Sequence, residues 1–241
     1  MKRIEESRFD AVSSEVHDLR LTTVVDRLLE SGSRRVVDLG CGGGVLLVRL
    51  AWHAEFERIV GIDSDQQALA AARSALEFLP AERQAVVQLH HGSFISPELL
   101  PEDCDAATLV ETIEHVDPRD LSRLEQGVFR RLRPRTVLVS TPNQDYNSLL
   151  GLAADEFRHA DHRFEWSRAR FHRWATGVAQ RHGYAVKVSG IGRHDPVCGS
   201  CTQMADFRRE PAAESPDPPT PGSSPTSGGP PHASTRSVST W

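Results

Sequence analysis

The chain has 241 residues, 39% of them hydrophobic, and its 28 Lys and Arg against 33 Asp and Glu give a formal charge of −5. That length suits one α/β domain, alone or with a tail, and the negative balance argues against indiscriminate nucleic-acid binding. No apolar run follows Met1-Lys2-Arg3 and none approaches the ~20 residues of a membrane span, so a soluble cytoplasmic protein without a membrane partner is expected.

In chain order, Val16 to Leu29 carries helical spacing and precedes a first short strand, Val36-Val37-Asp38-Leu39. A second strand, Arg58 to Asp63, ends in an acid, and an alanine-rich helix from Gln67 to Phe78 follows. Val86 to Leu89, Ala107 to Val110 and Thr136 to Val139 read as three further buried strands. Leu121, Leu124, Val128 and Leu132 space an amphipathic helix between the last two. Ser167 is placed as an N-cap, Phe171, Trp174 and Val178 form the stripe of the next helix, and Gly183 ends it. Ala185 to Val188 and Gln203 to Phe207 complete seven strands. Strands alternating with helices predict an α/β fold: a doubly wound, mostly parallel, Rossmann-like sheet with helices on both faces. Residues 1–210 form this domain. From Pro211 to Trp241, eight of the fifteen prolines sit among Ser, Thr and Gly without apolar periodicity, so 211–241 reads as a disordered tail.

Ligands in such sheets bind at the carboxyl ends of strands. The first strand runs into Asp38-Leu39-Gly40-Cys41-Gly42-Gly43-Gly44, a turn whose glycines let backbone approach a ligand closely. Asp63, at the end of the second strand, is positioned to accept from two ribose hydroxyls. A dinucleotide fold is the rival, but the form here is Asp-x-Gly-x-Gly without the third glycine at dinucleotide spacing. The pattern resembles the class I S-adenosylmethionine-dependent methyltransferases. That resemblance implies that Asp38, Gly40 and Gly42 line the amino-acid end of the donor, that Asp63 holds its ribose, and that Ser93 lies near its adenine.

After the fourth strand come Glu111, Glu114 and His115, at i, i+3 and i+4, spacing that gathers side chains on one face of a helical turn. Such oxygen and nitrogen donors suit Mg²⁺ or Mn²⁺, although helices also expose residues of this kind to solvent without an ion. His159-Ala-Asp161-His162 supplies further imidazoles. Arginines crowd two segments, Arg119 to Arg135 and Arg158 to Arg173. Each is either a solvated helix face or a phosphate-binding surface. Cys198-Gly-Ser-Cys201 has no second pair to complete a zinc site, and reduced loop thiols are expected rather than a redox pair.

Three strings then occur in order: Glu111-Thr-Ile-Glu114-His115, Ser140-Thr-Pro-Asn143 with Tyr146-Asn147, and His159-Ala-Asp-His162-Arg-Phe-Glu165-Trp166-Ser-Arg168. Together they resemble the small-RNA 3′-terminal ribose 2′-O-methyltransferases, the HEN family, from about residue 15 to Arg209. The resemblance implies a divalent cation held by Glu111, Glu114, His115 and His162, with His159 as the alternate fourth ligand, chelating the 2′- and 3′-hydroxyls of an RNA's last nucleotide. It also implies S-adenosylmethionine as donor, RNA with a free 3′-terminal diol as substrate, and an RNA-repair or RNA-binding partner protein. The family's glycine turn often carries Glu where this chain has Gly43. The additional RNA-binding domains of plant members and the N-terminal half of some bacterial ones have no counterpart in these residues.

A rival from another class is a metal-dependent small-molecule O-methyltransferase acting on a vicinal diol; a third is a non-catalytic RNA-binding scaffold. Arginines near the site and the three strings favour the RNA reading. Among the aromatics, Phe171 and Trp174 read as core, and Trp166, just before its helix, as the candidate for stacking on a base.

Overall fold

The computed structural model describes residues 2–153 and 155–209; the expected tail, 211–241, lies outside them. Helix α1 (Lys2–Glu30) leads into β1 (Arg35–Leu39), α2 (Val45–Ala51), β2 (Arg58–Asp63), α3 (Gln66–Leu76), a short α4 (Ala81–Gln84) and β3 (Val87–His91). Then come β4 (Ala106–Val110), α5 (Leu121–Glu125) continued by a wide π-helical segment (Gln126–Leu132), and β5 (Thr136–Pro142). Helix α6 (Arg168–His182) and the hairpin of β6 (Tyr184–Asp195) and β7 (Gly199–Arg209) follow.

Among the described residues, seven strands form one sheet in the order β3-β2-β1-β4-β5-β7-β6. Strands β1 to β5 pair in parallel, while β7 runs antiparallel to both β5 and β6. Alternate strand residues point to opposite faces, which sorts the apolar side chains into two cores. Val37, Val60, Leu109 and Val139 pack with Leu124, Val128, Phe171 and Val178 on one face. Val36, Ile59 and Leu138 pack with Leu21, Val24, Leu28, Leu47 and Leu69 on the other. Both faces are covered, as a parallel sheet requires, because βαβ crossovers place a helix over each face.

Local chemistry sets the helix ends. Asp65 caps α3, its carboxylate accepting from the Gln67 N–H at 2.8 Å. Ser167 caps α6, and Gly183, at φ 71°, ends it in the left-handed conformation. The hairpin is much longer than the expected runs at 185–188 and 203–207. Strand β6 lies at the sheet edge with many exposed positions, so it lacks the continuous apolar signal of a central strand. Its glycines, breakers in a sequence reading, accommodate close neighbours: a Cβ on Gly190 would lie 2.5 Å from Ser200 Oγ.

Strand order reverses between β1 and β4: the chain winds outward to β2 and β3 on one side, then to β5 on the other. Loops leaving the carboxyl ends of these two strands diverge and open a crevice between them.

Candidate active site

The glycine turn after β1 is built around the carboxylates of Asp38 and Asp63. Gly40 has φ 80°, and a Cβ there would meet Thr112 Cγ2 at 2.6 Å, so both conformation and space demand glycine. Gly44 has φ 77°, and a Cβ there would lie only 2.8 Å from that of Ala72, so glycine lets α2 start close against α3. The Gly42 N–H donates to Asp63 Oδ2 at 2.7 Å, and the Asp65 N–H to Asp63 Oδ1 at 2.9 Å. Asp63 thereby ties the turn to the end of β2. Asp38 is buried and accepts from Thr108 Oγ1 at 2.7 Å. Burial pushes its pKa up to about 7, against the opposing Thr108 bond and reinforced by Asp63. Ser93 lies beyond β3 on the exposed surface, where its hydroxyl accepts from the Ile95 N–H at 3.3 Å.

After β4 the chain takes a strained step. Glu111, at φ 50°, adopts a left-handed conformation that side chains other than glycine rarely hold. Its N–H donates to the Ser140 carbonyl at 3.1 Å, and its Oε1 accepts from Ser140 Oγ at 2.9 Å. A single 3₁₀ turn, Ile113–His115, follows rather than an α-helix. Glu114 is fully buried; Thr141 Oγ1 donates to its Oε2 at 2.9 Å, while Oε1 has no hydrogen-bond partner among the described residues. Burial first, then the neighbouring Glu111, raises its pKa well above the usual carboxylate range.

Three candidate ligands converge. Donor atoms of Glu114, His115 and His162 all lie within 4.8 Å of one another. The rings of His115 and His162 meet edge to face, with centroids 4.9 Å apart. Burial lowers the pKa of His115, although Asp161, 3.4 Å from its Nδ1, opposes this. Glu111 lines the same cleft, but its Oε2 pairs with Arg20 Nη2 at 3.2 Å. His159 also lines the cleft, exposed, with its Nδ1 on Asp161 and outside the three-residue group. A buried carboxylate with one unpartnered oxygen, grouped with two imidazoles, fits a divalent cation: oxygen and nitrogen donors, with one acceptor left over by the protein.

Several residues that position this group carry no chemistry of their own in a sequence reading. The Arg163 N–H donates to the Glu114 carbonyl at 2.7 Å and pins the 159–163 loop against the 3₁₀ turn. Glu165 accepts from His162 Nδ1 at 2.6 Å, which leaves Nε2 free to ligate. The same carboxylate accepts from the Arg158 N–H at 2.7 Å and from Asn147 Nδ2 at 2.6 Å. Burial raises the pKa of Glu165, but these three bonds outweigh it and hold the carboxyl below its usual value. Arg158 spans the network, reaching Asn147 Oδ1 at 2.7 Å and the Cys201 carbonyl at 3.0 Å. Asn143 fastens β5 to the hairpin tip by donating to the carbonyls of Cys198 and Ser200, each at 2.8 Å. Asn143, Asn147 and Glu165 sit inside the two long strings, and Arg158 directly before the second, a signal for their presence but not for their partners. Arg20, on α1, has no such signal.

Trp166 corrects an expectation. It is buried, stacked on Phe164 at 4.6 Å and packed 5.4 Å from Trp174, with Arg170 over its ring. It is core, because the chain pairs with Asn143 at this point and turns the indole inward before α6 begins. Cys198 and Cys201 are free thiols at the hairpin.

A family model described as a methyltransferase domain matches residues 36–135. The chain is 37% identical over 187 residues to a protein of Rattus norvegicus named small RNA 2′-O-methyltransferase, covering 73% of this chain and 46% of that one. A relative of the same name from Gallus gallus is 33% identical over 218 residues, covering 86% of this chain and 58% of the relative. The chain thus spans about half the length of these curated relatives. Among solved structures, the methyltransferase domain of a bacterial Hen1 superposes with a TM-score of 0.73 at 39% identity, covering 80% of this chain and 98% of that one.

Proposed function

The chain belongs to the small-RNA 2′-O-methyltransferase (HEN) family, and on that premise we propose that it transfers a methyl group from S-adenosylmethionine to the 2′-hydroxyl of an RNA's 3′-terminal nucleotide. The observation that carries the site assignment is the buried carboxylate of Glu114, with Oε1 unpartnered, grouped with the imidazoles of His115 and His162. These residues, joined by Glu111, would hold Mg²⁺ or Mn²⁺. Glu111 sits in the same cleft with one oxygen on Ser140 and the other paired with Arg20.

When bound, the donor supplies an electrophilic methyl on a sulfonium, and the divalent ion supplies a Lewis acid that eases deprotonation of a hydroxyl. The protein's own residues do the rest. Thr141 fixes the Glu114 carboxylate, Glu165 fixes the tautomer and plane of His162, and the Arg163 bond holds the two segments in register. The lowered pKa of His115 keeps it neutral near pH 7, the state needed for ligation or for accepting the hydroxyl proton. The glycine turn after β1 and the turn carrying Glu114 and His115 after β4 leave neighbouring strands, which supports a donor bound beside the acceptor. A vicinal diol requirement would confine the reaction to RNA 3′ ends, because internal nucleotides lack a free 3′-hydroxyl and DNA lacks the 2′-hydroxyl.

Labelled methyl transfer to a short RNA with a free 3′ end, compared with the same RNA ending in 3′-phosphate, tests the reading. The diol RNA is expected to be methylated, chelator to stop the reaction, and Mg²⁺ or Mn²⁺ to restore it while donor binding persists. Equal methylation of the 3′-phosphate RNA, or full activity under chelation, would refute it. Methylation of a catechol in place of RNA would favour the small-molecule reading.

A further inference from the structure

The arginine segment between β4 and β5 forms a surface that the candidate active site does not use. Residues 119 to 135 contain six arginines and two acids, in a chain whose net charge is −5. The two acids are already engaged. Glu125 accepts from Arg181 at 2.8 and 3.0 Å and from His182 at 2.8 Å, and Asp120 pairs with Arg123 at 3.5 Å. Arg119 and Arg135 pair with Asp117 and Asp105. Arg130, Arg131 and Arg133 are exposed and have no carboxylate within 4.0 Å among the described residues.

A solvated helix face ordinarily interleaves its cations with acids three or four residues away, because adjacent like charges repel. Here the positions four before Arg130, Arg131 and Arg133 are Gln126, Gly127 and Phe129, which offer no compensating charge. The surface is also concave. A groove of about 700 Å³ is lined by Ser122, Arg123, Gln126, Gly127, Arg130 and Arg131. A second cleft, of about 430 Å³, adjoins it across Gln126 and Arg130 and is lined also by Arg133 and Arg181. Gly127 lets the segment lie close over Leu100 beside the groove: a Cβ there would press to 3.3 Å from that side chain. The segment starts just past the 3₁₀ turn that carries Glu114 and His115.

We propose that the Arg123–Arg130–Arg131 groove is a second RNA contact, binding phosphates of the substrate strand upstream of the nucleotide held in the active site. This rests on the RNA reading above. Guanidinium groups suit the assignment because they pair with phosphate oxygens in two-point geometry and retain their charge at any physiological pH. Contacts of this kind carry no sequence information; they position the strand and raise affinity for substrates long enough to reach them. The groove therefore sets a length dependence on an active site that itself reads only the terminal diol.

The test uses the full chain and two single-stranded RNAs with free 3′ ends, one a dinucleotide and one of about 20 nucleotides, enough to cross the groove. Binding of the labelled longer RNA is followed by fluorescence anisotropy over a salt series, and methylation is measured on both. Arg123→Glu/Arg130→Glu/Arg131→Glu should weaken binding of the longer RNA by about 30-fold or more and lower the salt slope by about 2, near 0.7 per lost phosphate contact. Dinucleotide methylation should stay within about twofold, since that substrate does not extend to the groove. The milder Arg123→Gln/Arg130→Gln/Arg131→Gln, which removes charge without reversing it, should give the same pattern at smaller size. Unchanged affinity and salt slope, with both RNAs still methylated, would overturn the groove while leaving the enzymatic reading intact. Failure of the unaltered protein to bind or methylate either RNA would overturn both. Polyglutamate displacing no RNA supports the proposal, whereas polyglutamate binding at this groove in preference to RNA would reassign it to an acidic protein.

Discussion

Glu165→Gln puts the positioning network to a sharp test, because the substitution keeps volume and shape while removing one acceptor. Glu165 accepts three hydrogen bonds: from His162 Nδ1 at 2.6 Å, the Arg158 N–H at 2.7 Å and Asn147 Nδ2 at 2.6 Å. A glutamine has one oxygen and one NH₂ for these three donors. If its oxygen faces His162 and Arg158, its NH₂ meets the Asn147 NH₂ donor to donor, in a buried site. If it flips, the NH₂ faces His162 Nδ1, which must then lose its proton and place it on Nε2, the nitrogen needed for a metal. Hydrogen bonds to a charged group are each worth about 1.5–3 kcal/mol, so losing one and burying a mismatch should lower stability by roughly that amount. Loss of the carboxylate that holds a ligating imidazole from behind typically weakens a metal site by about 10- to 100-fold. Titration calorimetry with Mn²⁺, alongside thermal melting, reads both effects. A Glu165→Gln protein that binds Mn²⁺ as tightly as the unaltered chain and melts at the same temperature would refute the account of His162 as a ligand held from behind.

Three further outcomes follow from the donor side of the crevice. Asp38 keeps its proton up to about pH 7 in the folded state but releases it near 3.9 when unfolded, so its contribution is full below pH ~4 and lost as pH rises through 7. The melting temperature of the ligand-free protein should therefore fall from pH 5 to pH 8, and Asp38→Asn should flatten that slope, by an amount on the order of 4 kcal/mol at most. A slope identical in the variant would show that Asp38 ionises normally. Gly40→Ala should cost about 1–2 kcal/mol from the left-handed backbone alone, more from the clash with Thr112, and should abolish donor binding measured by calorimetry. Retained donor affinity would detach the turn from the donor site. Asp63→Ala removes the acceptor for the N–H groups of Gly42 and Asp65 and, on the proposed donor assignment, for the ribose hydroxyls, so donor affinity should drop by ~1.5–3 kcal/mol. A folded variant with unchanged affinity would reassign the acid that ends β2.

Much of the architecture was legible because it rests on local signals. Short apolar runs ending in Gly40 and Asp63, the Ser167 cap and the Gly183 stop each report a boundary through interactions within a few residues, and the structure places β1, β2 and α6 there. The π-helical segment at Gln126–Leu132 and the full length of the β6–β7 hairpin were not legible. Leu124, Val128 and Leu132 satisfy an α-helical spacing equally well, and edge strands carry too little apolar periodicity to declare their ends.

The candidate site divides along the same line. Sequence alone determined which residue types stand after each strand, and the order of the three strings was specific enough to indicate the family. Only the tertiary structure decided their roles. It turned Trp166 into the core, set Arg20 of α1 against Glu111, left one oxygen of Glu114 without a partner, and ran Asn147, Arg158 and Glu165 together behind His162. The physical reason is separation along the chain. Arg20 and Glu111 meet because α1 packs across the sheet, and the 3₁₀ turn meets the 159–163 loop through one backbone bond. Contacts between segments this far apart leave no local periodicity, so their partners become known only once the sheet has brought them together.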